Sequence, residues 1–231
     1  FDCHSPQSQF GRGDYWLIAA DLPDRADPLA PVAIRSASLW QQGNTLYGRY
    51  ADGTIVAHRI TPQEVSRHLQ LGAIVERRLP GRDTPLVQLL WRIDGAENIR
   101  GILVGARLAT IEQSIGANLF MAALYAAFVG LCFSLLIHNI AIWHALRYDF
   151  QLAYCCMVSM LLIYAVSSSG ALDWWFPAMP DVDRLRINYL SLALSASSAL
   201  WFARTYFEPR VFSRPLVIAG IGVSAALIGS A

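Results

Sequence analysis

The side chains of this 231-residue chain that could do chemistry are few, and aromatic rings come first. Trp40, Tyr47, Tyr50 and Trp91 fall in stretches that read as β structure. Flat rings on a β surface can stack against sugars, but the same rings are also ordinary core and edge packing. Trp91 alternates with aliphatic neighbours and reads as core, which leaves Trp40, Tyr47 and Tyr50 as the candidate ligand-binding set. A second candidate is His138-Asn139, set deep in a charge-free run. Polar groups at membrane depth are costly and turn toward partners, so this pair reads as an interhelical hydrogen bond or as a relay.

Other patterns carry no site. Gly11-Arg12-Gly13-Asp14 contains an Arg-Gly-Asp triplet that reads as a loop before the first strand. Gly220-Ile221-Gly222 has no strand before it and is a helix-packing feature, not a dinucleotide loop. His138 and His144 are six residues apart and face different sides of a helix, whereas a helical metal pair wants a spacing of four. There is no P-loop, serine nucleophile elbow, paired zinc ligand set or kinase signature. No catalytic residue, metal or cofactor is expected.

The elements that must position these residues divide the chain in two. No Asp, Glu, Lys or Arg occurs in Gln113–Leu146, Phe150–Leu172, Ile187–Ala203 or Pro215–Ala231. Runs of about 20 apolar residues are long enough to cross a bilayer as helices. Spans are expected near 115–146, 150–172, 187–207 and 215–231, with the chain stopping inside the fourth. Ala122, Ala126 and Gly130, and likewise Ser191, Ser195 and Ala199, form small-residue stripes for close helix packing. Arg147, Arg204, Arg210 and Arg214 lie on one side of such a bundle, against Arg184 and Arg186 on the other. The excess belongs inside, which puts the N-terminal part outside.

Residues 13–112 read as an all-β domain, after an N-terminal segment 1–12 expected to be disordered or incomplete. Tyr15–Ala20, Val32–Trp40, Leu46–Tyr50, Thr54–Ile60, Pro85–Asp94 and Ile99–Leu108 are the expected strands. In Pro85–Asp94 the alternation places Val87, Leu89, Trp91 and Ile93 on one face. Asp52-Gly53 marks a hairpin, and Thr61-Pro62-Gln63-Glu64 is a capping box opening a short helix over Pro62–Leu69. The 18 basic residues are all Arg, scattered among 17 acids for a net charge of +1, which gives no sign of nucleic-acid binding. Cys132, Cys155 and Cys156 fall in expected spans and Cys3 stands alone, so no disulfide framework is present. The chain opens with Phe1, which a removed signal peptide or a trimmed end would explain.

Taken in order, these parts resemble the bacterial seven-transmembrane receptors with diverse intracellular signalling modules. The residues that carry the resemblance are Leu135-Leu136-Ile137-His138-Asn139, Arg147-Tyr148-Asp149, Leu152-Ala153-Tyr154, Gly170 through Trp174-Trp175-Phe176-Pro177 with Asn188, and Ala203-Arg204-Thr205-Tyr206-Phe207. Tyr15-Trp16-Leu17 and Pro31–Trp40 resemble the opening strands of the outer domain. The resemblance covers about residues 10–231, and His138 stands where the family usually has an aromatic.

The family implies a jelly-roll-like outer sandwich similar to carbohydrate-binding modules, three further spans, and a cytoplasmic output module. A diguanylate cyclase with a GGDEF motif is the output expected here, with a histidine kinase as the alternative. The implied protein is a multi-pass inner-membrane receptor with a periplasmic N-terminal domain. Its expected partners are the lipid bilayer, a small-molecule or carbohydrate ligand, and a second copy of itself, with no nucleic acid. A membrane enzyme or transporter with an outer accessory domain, and an assembly protein whose sandwich binds another protein, are the competing classes. An enzyme or transporter would need charged groups inside its spans, and the charge-free runs of the first four show none, with Arg204 at the end of the third able to snorkel.

Overall fold

Alternating side chains build the N-terminal strands, and the phase of the alternation decides what each strand buries. The computed structural model describes residues 7, 10–39, 41–61, 64–96, 101–176, 179 and 181–207, together with 220, 222, 223, 225 and 229. Eight strands occur in the first part: β1 (Gly13–Ala19), β2 (Val32–Ala37), β3 (Gly43–Tyr50), β4 (Ile55–Ile60), β5 (Leu69–Gln70), β6 (Ile74–Leu79), β7 (Leu86–Ala96) and β8 (Arg107–Thr110). They form two antiparallel four-stranded sheets, ordered β1-β7-β3-β4 and β5-β6-β2-β8. Only β3–β4 and β5–β6 are joined within a sheet; every other connection crosses from one sheet to the other.

The core lies between the sheets. Val32, Ile34 and Leu79 of one sheet pack with Leu46, Leu89, Trp91 and Ile93 of the other. The approach is close at Gly48 of β3, where a Cβ would lie 2.7 Å from Leu79 Cδ1 of β6. In β7 the expected face is correct for Leu89, Trp91 and Ile93 but not for Val87, which is exposed while Leu86 is buried. A register shift opposite Arg49 and Tyr50 inserts one residue and reverses the phase at that end of the strand.

The β3–β4 hairpin forms at the expected turn. Gly53 sits at φ 83°, and the Thr54 amide donates to Asp52 Oδ1. Glu64 Oε2 accepts from the Thr61 amide, the reciprocal half of a capping box. The helix that follows, α1, covers Val65–His68; Leu69 already belongs to β5, and Pro62 and Gln63 lie outside the described residues. The strand expected over Ile99–Leu108 is shorter and later, since β8 begins at Arg107. Gly101 and Gly105 adopt positive φ values of 131° and 62°, which interrupt extended backbone, and Ile99 lies outside the described residues.

The second part is helical: α2 (Ile111–Leu146), α3 (Asp149–Ser168), α4 (Leu172–Trp175) and α5 (Asp181–Tyr206). α2 starts before the expected residue 115, because the helix opens in polar sequence ahead of the apolar run. α5 starts before 187 for the same reason. At the other end, α3 stops at Ser168, capped by Ser169 and followed by Gly170 at φ 81°. The fourth expected span lies almost wholly outside the described residues, among which 220, 222, 223, 225 and 229 are helical.

The chain forms two compact units. One comprises Phe1–Met121 with Asp173–Val182, and the other Ala122–Leu172 with Asp183–Ala231. In the helical unit α3 and α5 run antiparallel. Phe150 meets Tyr206, Tyr154 meets Phe202, and the Cys156 thiol lies 3.7 Å from the Ser198 hydroxyl. Ser191 of the expected small-residue stripe is buried there. α2 and α3 are long and apolar enough to cross a membrane.

Candidate functional site

β8 passes into α2 without a linker residue, since one ends at Thr110 and the other begins at Ile111. Thr110 caps the helix. Its hydroxyl accepts from the Gln113 amide, and Gln113 Oε1 accepts from the Thr110 amide, each at 3.1 Å. This is a reciprocal capping box, and the Thr-x-x-Gln spelling at 110–113 was its readable signal. At 36 residues α2 is about 54 Å long, well beyond a bilayer's hydrocarbon core, so its first turns have length to spare for the β unit.

Those turns are tied to the sheet by a buried carboxylate. Glu76 of β6 is only 5% exposed, and its Oε2 accepts from Ser114 Oγ at 2.7 Å and from Asn118 Nδ2 at 2.9 Å. Its other oxygen accepts from Arg78 Nε at 2.9 Å. Arg35 of β2 lies 3.6 Å from Glu76 and donates to both the hydroxyl and the carbonyl of Ser114. Burial raises the carboxyl's pKa, but the bonds from Ser114, Asn118 and Arg78 outweigh it and hold Glu76 below its ordinary value. Two strands and two helical turns therefore share one ionised group.

The next residue of β6 points the other way. Arg77 is 4% exposed and donates from Nη2 to the Asn44 carbonyl at 3.3 Å. Its Nε is buried without a partner, and among the described residues it forms no ion pair. Burial draws its pKa down to about 10, so it stays charged at neutral pH. A cleft of about 380 Å³ opens beside it, where edge strand β4 of one sheet meets β5 and β6 of the other. His58, Arg59, Arg67 and His68 line the same cleft. Burial lowers the pKa of both histidines from 6.5 and the Arg77 charge lowers it further, so both are neutral at pH 7.

The aromatic set expected from sequence is divided. Trp40 lies outside the described residues. Tyr50 is buried in the sandwich core, its hydroxyl donating to the Pro80 carbonyl at 2.7 Å and its ring under the Arg82 guanidinium. Tyr47 lies on the other face of β3, stacked on Trp16 with ring centroids 6.1 Å apart. Trp16 is 53% exposed and carries the Arg92 guanidinium above its ring. Sequence reasoning missed Trp16 as Tyr47's partner, because β1 and β3 meet only through β7.

In α2, His138 is exposed, and Asn139 Nδ2 donates to the Leu135 carbonyl one turn back, at 2.9 Å. Among the described residues no group of three or more His, Cys, Asp or Glu is placed to hold a metal ion.

A two-sheet N-terminal unit feeding apolar helices is the order of parts expected of a membrane sensor, and the helices carry the decisive likeness. Residues 121–231 match the model of the family described as 7TM diverse intracellular signalling. No curated protein and no solved structure matches the chain. Over residues 121–231, the helical part of the chain is thus similar to the 7TM diverse intracellular signalling family.

Proposed function

We propose that the β unit is the sensor of a multi-pass receptor of a bacterial inner membrane, held on the periplasmic side, and that it signals by changing how β6 and β8 hold the start of α2. The junction carries this reading. A strand that becomes a helix with no intervening residue, closed by a capping box and clamped through Glu76, has little slack in which to lose a displacement. A ligand that prefers one arrangement of the sheets then biases the helix in proportion to its differential affinity. Trp16 and Tyr47 offer a stacked pair for a carbohydrate-like ligand. His138 and Asn139 are the polar pair on which a repacking of α2 acts. The output is a diguanylate cyclase with a GGDEF motif, acting as a homodimer.

The test uses the full-length receptor in its own membrane. Glu76→Gln keeps the shape of the side chain and weakens its hold on Ser114, Asn118 and Arg78. The expected result is a changed cellular level of cyclic diguanylate at equal receptor abundance. A level that never depends on the receptor, with phosphotransfer appearing instead, replaces the cyclase by a histidine kinase. An output that is present but unchanged by Glu76→Gln overturns the coupling. Protease added to spheroplasts is expected to remove residues 13–112, and their protection would overturn the periplasmic placement.

A further inference from the structure

Three buried polar atoms without a partner among the described residues gather around one position of the sandwich: Nε of Arg77, Oδ1 of Asn44 and Nε2 of His58. They come from β6, β3 and β4, so both sheets contribute. A full positive charge taken out of water is costly unless a counter-charge sits beside it. Arg77 cannot escape that cost by releasing its proton at neutral pH. Glu76, the nearest acid in sequence, faces away from Arg77 and is engaged by Ser114, Asn118 and Arg78. Besides Arg77 the cleft is lined by Arg59, Arg67 and Arg78 against the single acid Glu76, so positive charge prevails there.

We propose that this cleft binds a small hydroxylated carboxylate, of the sugar-acid kind, with Arg77 as the buried anchor for the carboxylate and His58, which also lines it, as a partner for a hydroxyl group. Guanidinium and carboxylate are matched in geometry as well as charge. His58 Nε2 beside the Arg77 donors suits a ligand that carries hydroxyl groups as well as a carboxylate. The volume of about 380 Å³ falls in the range of small-molecule sites. Residue order on β6 supplies the consequence. Arg77 faces the ligand and Glu76, its neighbour, holds α2, so closing on the anion acts on the strand that carries the clamp. The inference rests on the sensor reading and names the ligand chemistry of a place in that sensor apart from the Trp16–Tyr47 pair.

The experiment is thermal unfolding of the full-length receptor in detergent micelles, followed by tryptophan fluorescence. The probes are galacturonate, galactose, succinate and inorganic phosphate. Galacturonate is expected to raise the midpoint saturably, more than succinate, with galactose and phosphate giving little. Arg77→Met, which keeps the length of the side chain, is expected to weaken galacturonate binding about 30-fold or more. If Arg77→Met does not fold, Arg67→Ala at the mouth of the cleft serves, with a loss of about 3-fold or more expected from a partly exposed charge. A midpoint indifferent to every probe overturns the proposal. So does a galacturonate shift that survives both substitutions, or one that galactose or phosphate matches. These outcomes are read from binding alone, whereas the sensor reading fails on the Glu76→Gln output, so the two failures are distinguishable.

Discussion

The two faces of β6 bury charge under opposite conditions. On the face under α2, Glu76 is met by a hydroxyl, an amide and a guanidinium, with a second Arg nearby. On the face toward the sandwich interior, Arg77 has one backbone carbonyl and an orphaned Nε. In the first arrangement both carboxylate oxygens are answered, although Asn118 Oδ1 has no partner among the described residues, and it reads as architecture. The second is incomplete and reads as a place for something else. Burial alone does not separate these roles, since both residues are about equally hidden. What separates them is whether the buried charge itself has found an opposite charge.

Mutation can break that contrast, and the largest effect is expected at Glu76. Replacing it with Ala strands Arg35, Arg78, Ser114 and Asn118 together, and should cost about 3–5 kcal/mol in chemical denaturation of the micelle-bound chain. A loss below about 1 kcal/mol would mean that water replaces the carboxylate and that the clamp holds little. At Arg77 the sign reverses. Arg77→Met removes an unpaired buried charge and should leave the ligand-free protein as stable or more so, by up to about 4 kcal/mol. Clear destabilisation in the same assay would show Arg77 to be satisfied and erase the difference between the faces.

A smaller effect is expected at the junction. Thr110→Ala removes the hydroxyl that accepts from Gln113 and should cost about 1 kcal/mol. Acid supplies the gentlest test. Glu76 lies below its ordinary value of 4.5 in the folded state. Its contribution is therefore fully present above that value and is lost as pH falls through the depressed folded value. Unfolding midpoints measured from pH 6 downward should fall in that window, and Glu76→Gln should fall less. Equal slopes for the two proteins would remove Glu76 as the cause.

Much of this was readable along the chain. The alternation of Leu89, Trp91 and Ile93, the turn at Asp52-Gly53 and the charge-free runs behind α2 and α3 all rest on local spacing. β6 escaped notice because Glu76-Arg77-Arg78 looks like a solvated stretch, and charges are seldom buried. The capping box at Thr110 and Gln113 is legible in the sequence, but the longer apolar run that follows is the stronger signal. Val87 was misplaced because an alternation pattern does not show where a bulge will shift it. Tyr47 and Tyr50 looked like one platform because they are close in sequence, while the strand sends them to different faces.

By itself the sequence determined the two-part plan, since hydrophobic period and charge-free length are properties of a chain before it folds. Only the tertiary structure decided which charges are buried and which of them are answered. That depends on the packing of β6 against α2 on one side and against β3 and β4 on the other, and no spacing along β6 records those neighbours.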